Sequence, residues 1–236
     1  MQPEAVDIES VHPLAGDLQR GATDLGLRLS AQNCGRLLTY LDLMSKWNKV
    51  YNLTAIRDPA EMLHQHVVDC LAVLTPLQRH TQGRAIRLLD VGSGGGLPGV
   101  IIAVMHPEIE VTCVDTVGKK ASFVQQVATE LRLQNLVSRH ARVESLTGVA
   151  FDVITSRAFA SLEDFTRLTR PLLRASAAPS AAPERAAGIW LAMKGKRPDA
   201  EIKALPALID VFHVEQLDVP GVVGDRCVVW MRPRES

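Results

Sequence analysis

The chain has 236 residues, 47% of them hydrophobic, and its 26 basic and 26 acidic side chains cancel to a formal charge of zero. That is enough to bury the core of one α/β domain, while the charge balance argues against a long nonspecific grip on nucleic acid and leaves room for a local basic patch. The longest apolar runs, such as 100–105 and 189–193, fall far short of the roughly 20 residues that span a bilayer, and residues 1–10 hold three acids and no apolar run, unlike a secretory signal, so a soluble, cytoplasmic protein is expected.

In chain order, residues 1–29 mix polar, Gly and Pro positions and predict a loose or locally ordered start. From Ser30, an available N-cap, Leu37, Leu38, Leu41 and Met44 recur at helical spacing and predict an amphipathic helix over 30–47. A second helix is expected from Asp58, which can cap, with Pro59 in the first helical position and Glu61 closing the capping box. Its apolar face would be Leu63, Val67, Cys70, Leu71 and Leu74. After Gly83, short apolar runs alternate with amphipathic segments, the pattern of a mostly parallel sheet covered on both faces. Strands are predicted at 86–91, 110–115, 136–140, 151–156, 188–194, 211–217 and 226–232, with helices near 97–106, 118–132, 161–173 and 198–206. Only 218–225, with Pro220, Gly221 and Gly224, separates the last two strands, which should therefore form an antiparallel hairpin. The Ala, Pro and Ser tract at 174–188 reads as a flexible surface loop inside the domain.

Cys34, Cys70, Cys113 and Cys227 are scattered, with no CxxC pair and no histidine at metal spacing, so buried free thiols are expected. His64 and His66 stand two apart, on different faces of a helix, and do not suggest a chelate. No metal is expected. Trp47 and Tyr51 could stack on a base, although beside an amphipathic helix they read first as packing residues.

The sharpest local feature is the run from Leu88 through Asp90, Gly92, Gly94 and Gly96 to Gly99, which passes from a strand through a tight turn into a helix. Glycines there permit positive φ and let a ligand lie against backbone. Pro98 suits the helix's first turn, whose free N–H groups are expected to point into the site. The next strand ends in Asp115, where a carboxylate at the sheet's carboxyl edge can bind ribose hydroxyls. Gly94, Gly96 and Gly99 satisfy GxGxxG, a weak dinucleotide fingerprint. The Asp90-x-Gly92-x-Gly94-x-Gly96 run also fits a methyltransferase pattern in which the strand's own Asp organises the turn. The closing hairpin and the lack of a sizeable substrate domain favour the latter over an NAD-dependent oxidoreductase. A noncatalytic RNA-binding module is a further alternative.

Residues 46–54 (Lys46-Trp47-Asn48 to Asn52-Leu53-Thr54), 90–99, 115–120, 142–144, Ser156-Arg157-Ala158-Phe159 with 160–162, and Lys194-Gly195 together resemble the RsmG (GidB) family of bacterial 16S ribosomal RNA guanine-N7 methyltransferases. The resemblance implies an α/β fold: a doubly wound, mostly parallel seven-stranded sheet of the Rossmann-like, S-adenosylmethionine-dependent methyltransferase type, with an N-terminal helical extension. The corresponding division is a variable segment at 1–29, the extension at 30–82 and the methyltransferase domain at 83–236, with 174–187 a loop. S-adenosyl-L-methionine is the implied cofactor, and 16S ribosomal RNA or the small ribosomal subunit the implied partner of a monomeric enzyme. The sequence departs from the family in its longer N-terminus, in the tract at 174–187 and in Cys70, where Ser is common.

On turn geometry and resemblance together, Gly92, Gly94, Gly96, Leu97, Asp115, Val143, Glu144 and Arg157 are expected to contact cofactor, with Val143 and Glu144 beside the adenine and Arg157 near the reacting end. Lys119, Lys120, Lys194, Lys196 and Arg197 are expected to form a phosphate-binding rim. No acid–base residue is assigned, because guanine N7 loses no proton when methylated.

Overall fold

The computed structural model describes residues 12–157, 159–175 and 187–234. Most of the expected loop at 174–187, and residues 1–11, lie outside these. Seven strands form one sheet in the order β3-β2-β1-β4-β5-β7-β6. They are β1 (Arg87–Val91), β2 (Glu110–Asp115), β3 (Leu136–His140), β4 (Val153–Ser156), β5 (Ile189–Lys194), β6 (Ile209–Leu217) and β7 (Arg226–Pro233). The first five run parallel. As expected, the last two are antiparallel to one another, but the hairpin folds back so that β7 inserts between β5 and β6. The chain order reverses between β1 and β4, so a crevice opens there at the carboxyl edge.

Alternate residues of β1 serve opposite layers. Leu88 joins a core shared with the N-terminal helices, while Leu89 and Val91 join a second core with Phe165 and Trp190. A strand buried on both faces reads as a continuous apolar run, which is why these strands were visible in the sequence. The same alternation turns Asp90 toward the first layer.

The described helices in the first half are α1 (Ala15–Asp24), α2 (Ala31–Tyr51), α3 (Pro59–Met62), α4 (Asp69–Leu71) and α5 (Leu74–Thr81). Beyond the turn come α6 (Gly99–Met105), α7 (Gly118–Glu130), α8 (Leu162–Thr169) and α9 (Asp199–Ala204). The expected caps are present, with Ser30 accepting from Asn33 N–H at 3.1 Å and Asp58 from Glu61 N–H at 2.8 Å. The start is locally ordered, as the sequence allowed: α1 buries Ala15, Leu18 and Ala22 on one stripe, and Gly21 lies against Val68. Two expectations are corrected. The helix after Asp58 is not one α-helix, since Leu63–Val68 is π-helical and the chain breaks at Ala72 and Val73 before α5. Pro98 caps α6 from outside instead of occupying its first turn.

The α6 stretch from Val100 to Val104 is buried all round. A helix apolar on every face belongs in an interior, and here α6 lies between the sheet and α2. The helical extension thus becomes the wall above the β1 turn. Among the described residues no helix is long and apolar enough to cross a membrane.

Candidate active site

The glycine turn is fixed almost wholly from within the protein. Gly92 N–H and Ser93 N–H donate to Val114 carbonyl oxygen at 2.9 and 3.2 Å, and Gly96 N–H and Leu97 N–H donate to Ser93 carbonyl at 2.8 and 2.9 Å. Gly94 N–H donates to Asp115 Oδ2 at 2.9 Å and Val117 N–H to Asp115 Oδ1 at 2.8 Å. Gly99 N–H donates to Asp90 Oδ2 at 2.9 Å. Of the N–H groups in the helix's first turn that were expected to point into the site, those of Gly99 and Val100 do not, being consumed by Asp90 Oδ2 and, at 2.6 Å, by Gly96 carbonyl. Asp115 still has a lone pair left on each oxygen for a ribose hydroxyl.

The glycines divide by what lies beyond them. Gly92 (φ +65) and Gly94 (φ +58) face open space, with nothing within 4 Å of an added Cβ. At Gly96 a Cβ would stand 2.5 Å from Val100 Cγ2, and at Gly99 2.5 Å from Cys113 Sγ. The Cβ side of Gly96 thus faces packing against Val100 and Val124, and Gly96 is not among the residues lining the cleft described below. Asp90 is fully buried, and burial raises its pKa to about 7. Its Oδ1 has no hydrogen-bond partner among the described residues.

The second wall comes from the helical extension. Tyr40 hydroxyl donates to Gly95 carbonyl at 2.7 Å, and Met44 Cε would lie 3.0 Å from a Cβ on Gly95. Asn52, with φ of 50°, ends α2 in the left-handed conformation that stops helices. Buried Asn48 then pins the returning chain, its Nδ2 donating to Ile56 carbonyl at 2.8 Å and its Oδ1 accepting from Thr54 N–H at 2.9 Å. Leu53 and Thr54 are thereby held over the turn.

Arg157, just past β4, joins these walls. Its Nη1 donates to Gln65 carbonyl at 3.0 Å and to Asp69 Oδ2 at 3.2 Å, while Arg226 Nε donates to Asp69 Oδ1 at 2.8 Å. Gln65 lies in the π-helical turn, whose displaced hydrogen-bond pattern accompanies functional sites in many proteins. His66 Nε2 lies 2.8 Å from Thr54 Oγ1 and its Nδ1 3.0 Å from Gln65 carbonyl. Burial, then the nearby Arg157 charge, lower the His66 pKa to about 4. The ring is therefore neutral, with Nδ1–H donating to Gln65 and Nε2 accepting from Thr54.

Together these elements enclose a cleft of about 180 Å³ lined by Met44, Leu53, Thr54, His66, Gly92, Ser93, Gly94, Gly95, Leu97, Lys120 and Arg157. Of the expected residues it gathers Gly92, Gly94, Leu97, Arg157 and Lys120. Asp115 is 7% exposed behind the turn, and Val143 is buried in the second core with exposed Glu144 after it, at the same sheet edge. Lys119 lies over the Tyr51 ring. Lys194 is not a free cation: Glu201 holds its ammonium at 2.9 and 3.0 Å. Lys196 and Arg197 are exposed on the turn after β5, with Arg197 paired to Asp199 at 2.8 Å. The sequence reading missed Tyr40, Met44, Thr54 and His66. Thr54 sat inside a quoted motif, the helical spacing of Met44 marked it only as core, and Tyr40 carried no signal of its own beside those apolar positions.

The open faces of Gly92 and Gly94, and the spare lone pairs of Asp115 beside them, fit an adenosyl group laid on backbone. A parallel sheet closed by an inserted hairpin, carrying this turn, defines a Rossmann-like methyltransferase that uses S-adenosylmethionine. Solved structures with the same fold include the Burkholderia thailandensis 1,6-didemethyltoxoflavin-N1-methyltransferase with bound S-adenosylhomocysteine, at TM-score 0.54 and 15% identity over 88% of this chain and 92% of that one. TrmN from Thermus thermophilus matches at TM-score 0.53 and 21% identity over 70% of this chain and 48% of that one. Residues 33–229 match the family described as rRNA small subunit methyltransferase G. The ribosomal RNA small subunit methyltransferase G of Leptothrix cholodnii is 58% identical over 95% of this chain and 98% of its own, and that of Paracidovorax citrulli 54% identical over 94% and 91%. The chain belongs to the rRNA small subunit methyltransferase G family.

Proposed function

We propose that this enzyme methylates N7 of one guanine in 16S ribosomal RNA, acting in the cytoplasm as a monomer on the RNA or the small subunit. The observation that carries the reading is the meeting of the two most family-specific motifs in one cleft: Thr54 from the first and Arg157 from the second flank the same neutral His66.

The donor, when bound, supplies an electrophilic methyl on a cationic sulfur. Gly92, Gly94 and Leu97 form its backbone bed, Asp115 accepts from the ribose, and Val143 and Glu144 border the adenine. N7 presents a lone pair and releases no proton, so alignment does most of the work, and alignment can supply about 7–11 kcal/mol. The cleft is consistent with that demand. Its imidazole is already committed at both nitrogens, and none of the four cysteines lines it. Burial pushes the Cys70 and Cys113 thiols far up, away from the thiolate that C5 methylation of a pyrimidine requires. No Asn-Pro-Pro-Tyr motif follows β4 to hold an exocyclic amine. A ribose acceptor would need a base such as Lys194, whose ammonium is tied to Glu201.

Ribosomal RNA modified by the enzyme should be cleaved at one guanosine by borohydride and aniline, a property of N7-methylguanosine. RNA that takes up methyl but resists this cleavage, and instead gains an alkali-resistant linkage, would make the ribose the acceptor.

The phosphate rim is proposed at Lys119, Lys120, Lys196 and Arg197, with Lys194 contributing less because Glu201 neutralises it. Replacing Lys119 and Lys120 by glutamine should flatten the dependence of log affinity on log salt by about 0.7 per lysine for single-stranded RNA, and Lys119→Gln alone, outside the cleft lining, should do so with cofactor affinity unchanged. An unaltered slope would return both lysines to ordinary solvated surface.

A further inference from the structure

The overall charge is zero, yet two segments that meet in space carry only basic charged side chains. Residues 43–57 carry Lys46, Lys49 and Arg57 with no acid, and residues 116–129 carry Lys119 and Lys120 with no acid. The two segments meet where Lys119 Nζ lies 5.2 Å from the centroid of the Tyr51 ring. Tyr51 is the last residue of α2 and is 41% exposed, beside Val50 at 68%. Beneath it the aromatic contacts continue inward: Trp47 is 4.9 Å from Tyr51 and 5.4 Å from fully buried Phe123. Trp47 Nε1 donates to Gln126 Oε1 at 3.0 Å, which fixes the indole. The sequence reading of both aromatics as packing residues therefore holds for Trp47 and in part for Tyr51, which packs on Trp47 while 41% of it stays exposed at the end of the stack.

A rigid exposed ring among cations and apolar carbons has the chemistry that binds a nucleobase: every base offers a π-face to an aromatic, and neighbouring lysines take the phosphates. Position matters as much as chemistry. Leu53 and Thr54, two and three residues after Tyr51, line the cleft, as does Lys120, the neighbour of Lys119. We propose that Tyr51 is a stacking platform for an RNA base close to the methylated nucleotide, with Lys119 leaving the ring face to pair with the adjoining phosphate. This rests on the RNA methyltransferase reading above and names the face on which the strand lies. An exposed cation–π contact is weaker than base stacking, so Lys119 does not block the platform.

Methyl transfer to deproteinised 16S ribosomal RNA and to small subunits, measured for wild type, Tyr51→Phe, Tyr51→Leu and Tyr51→Ala, tests it, with S-adenosylmethionine affinity followed by calorimetry. Phenylalanine should preserve KM for RNA, whereas leucine, which keeps the packing on Trp47, and alanine should raise it by about 5- to 100-fold with cofactor affinity unchanged. A leucine variant with wild-type KM on both substrates would overturn the platform. So would a loss seen on small subunits alone, which would make a ribosomal protein the partner. Wild-type enzyme that transfers no methyl to either substrate would instead overturn the functional reading beneath it.

Discussion

Gly94→Val is expected to abolish S-adenosylmethionine binding while the protein stays folded. The backbone at Gly94 has φ of +58°, and nothing lies within 4 Å of where a Cβ would project. A Cβ there meets no protein atom, and the valine side chain built on it enters the space proposed for the donor. The left-handed backbone makes the substitution cost about 1–2 kcal/mol of stability, a loss that a domain of ordinary stability survives. Gly99→Val offers the contrast, because its Cβ would press on Cys113 Sγ at 2.5 Å and Asp90 Oδ2 at 2.9 Å inside the core. That variant should lose stability first and binding only in consequence. Thermal melts and calorimetry on both proteins separate the cases. Wild-type affinity in folded Gly94→Val would place the donor away from this turn.

The two glycines also show what a sequence can and cannot convey. Both satisfy the same motif, and nothing in the pattern distinguishes a glycine facing a ligand from one packed on neighbouring strands. The difference is tertiary: α6 packs against β2 beneath Gly99, while Gly94 looks outward. Strands were legible because burial on both faces leaves continuous apolar runs such as those at β1 and β5. The π-helical turn was not, since Leu63, Val67, Cys70 and Leu71 keep apolar spacing through it. Helix α1 was hidden by Gly16 and Gly21 among its apolar positions, although Gly21 is there to admit Val68. In the site, residues set by local backbone or by a strand end, such as Gly92, Gly94 and Arg157, could be named in advance. Thr54 and His66 could not, because the extension's docking on α6 and α7 decides what they face. Lys194 misled for the same reason: its partner Glu201 comes from a helix whose approach to β5 is a matter of packing.

Asp69 joins three distant parts of the chain, and its loss is expected to damage stability and catalysis together. Its carboxylate is 5% exposed and binds Arg157 through one oxygen and Arg226 through the other, with both arginine side chains about three-quarters buried. Removing one partner from a buried ion pair leaves the other charge unsatisfied, at a typical cost of about 3–5 kcal/mol. Asp69→Ala should fall near about 3 kcal/mol, because the exposed quarter of each guanidinium can recruit water. Asp69→Asn retains the shape but turns an amide N–H₂ toward one guanidinium, so it should recover part of the stability and little of the alignment. Arg157 would then lose its charged partner and, among the described residues, be held chiefly by its bond to Gln65 carbonyl, so that it swings within the cleft. Misplacement of an aligning group by about 1 Å costs on the order of 100-fold in rate, so kcat is expected to fall far more than KM changes. Arg226→Met is the control, since it leaves the Asp69–Arg157 contact intact and should cost stability with kcat nearly preserved. Rates measured well below each variant's melting temperature distinguish the two roles. If folded Asp69→Asn turns over at the wild-type rate, the Asp69 carboxylate holds the fold together without positioning Arg157 for the reaction.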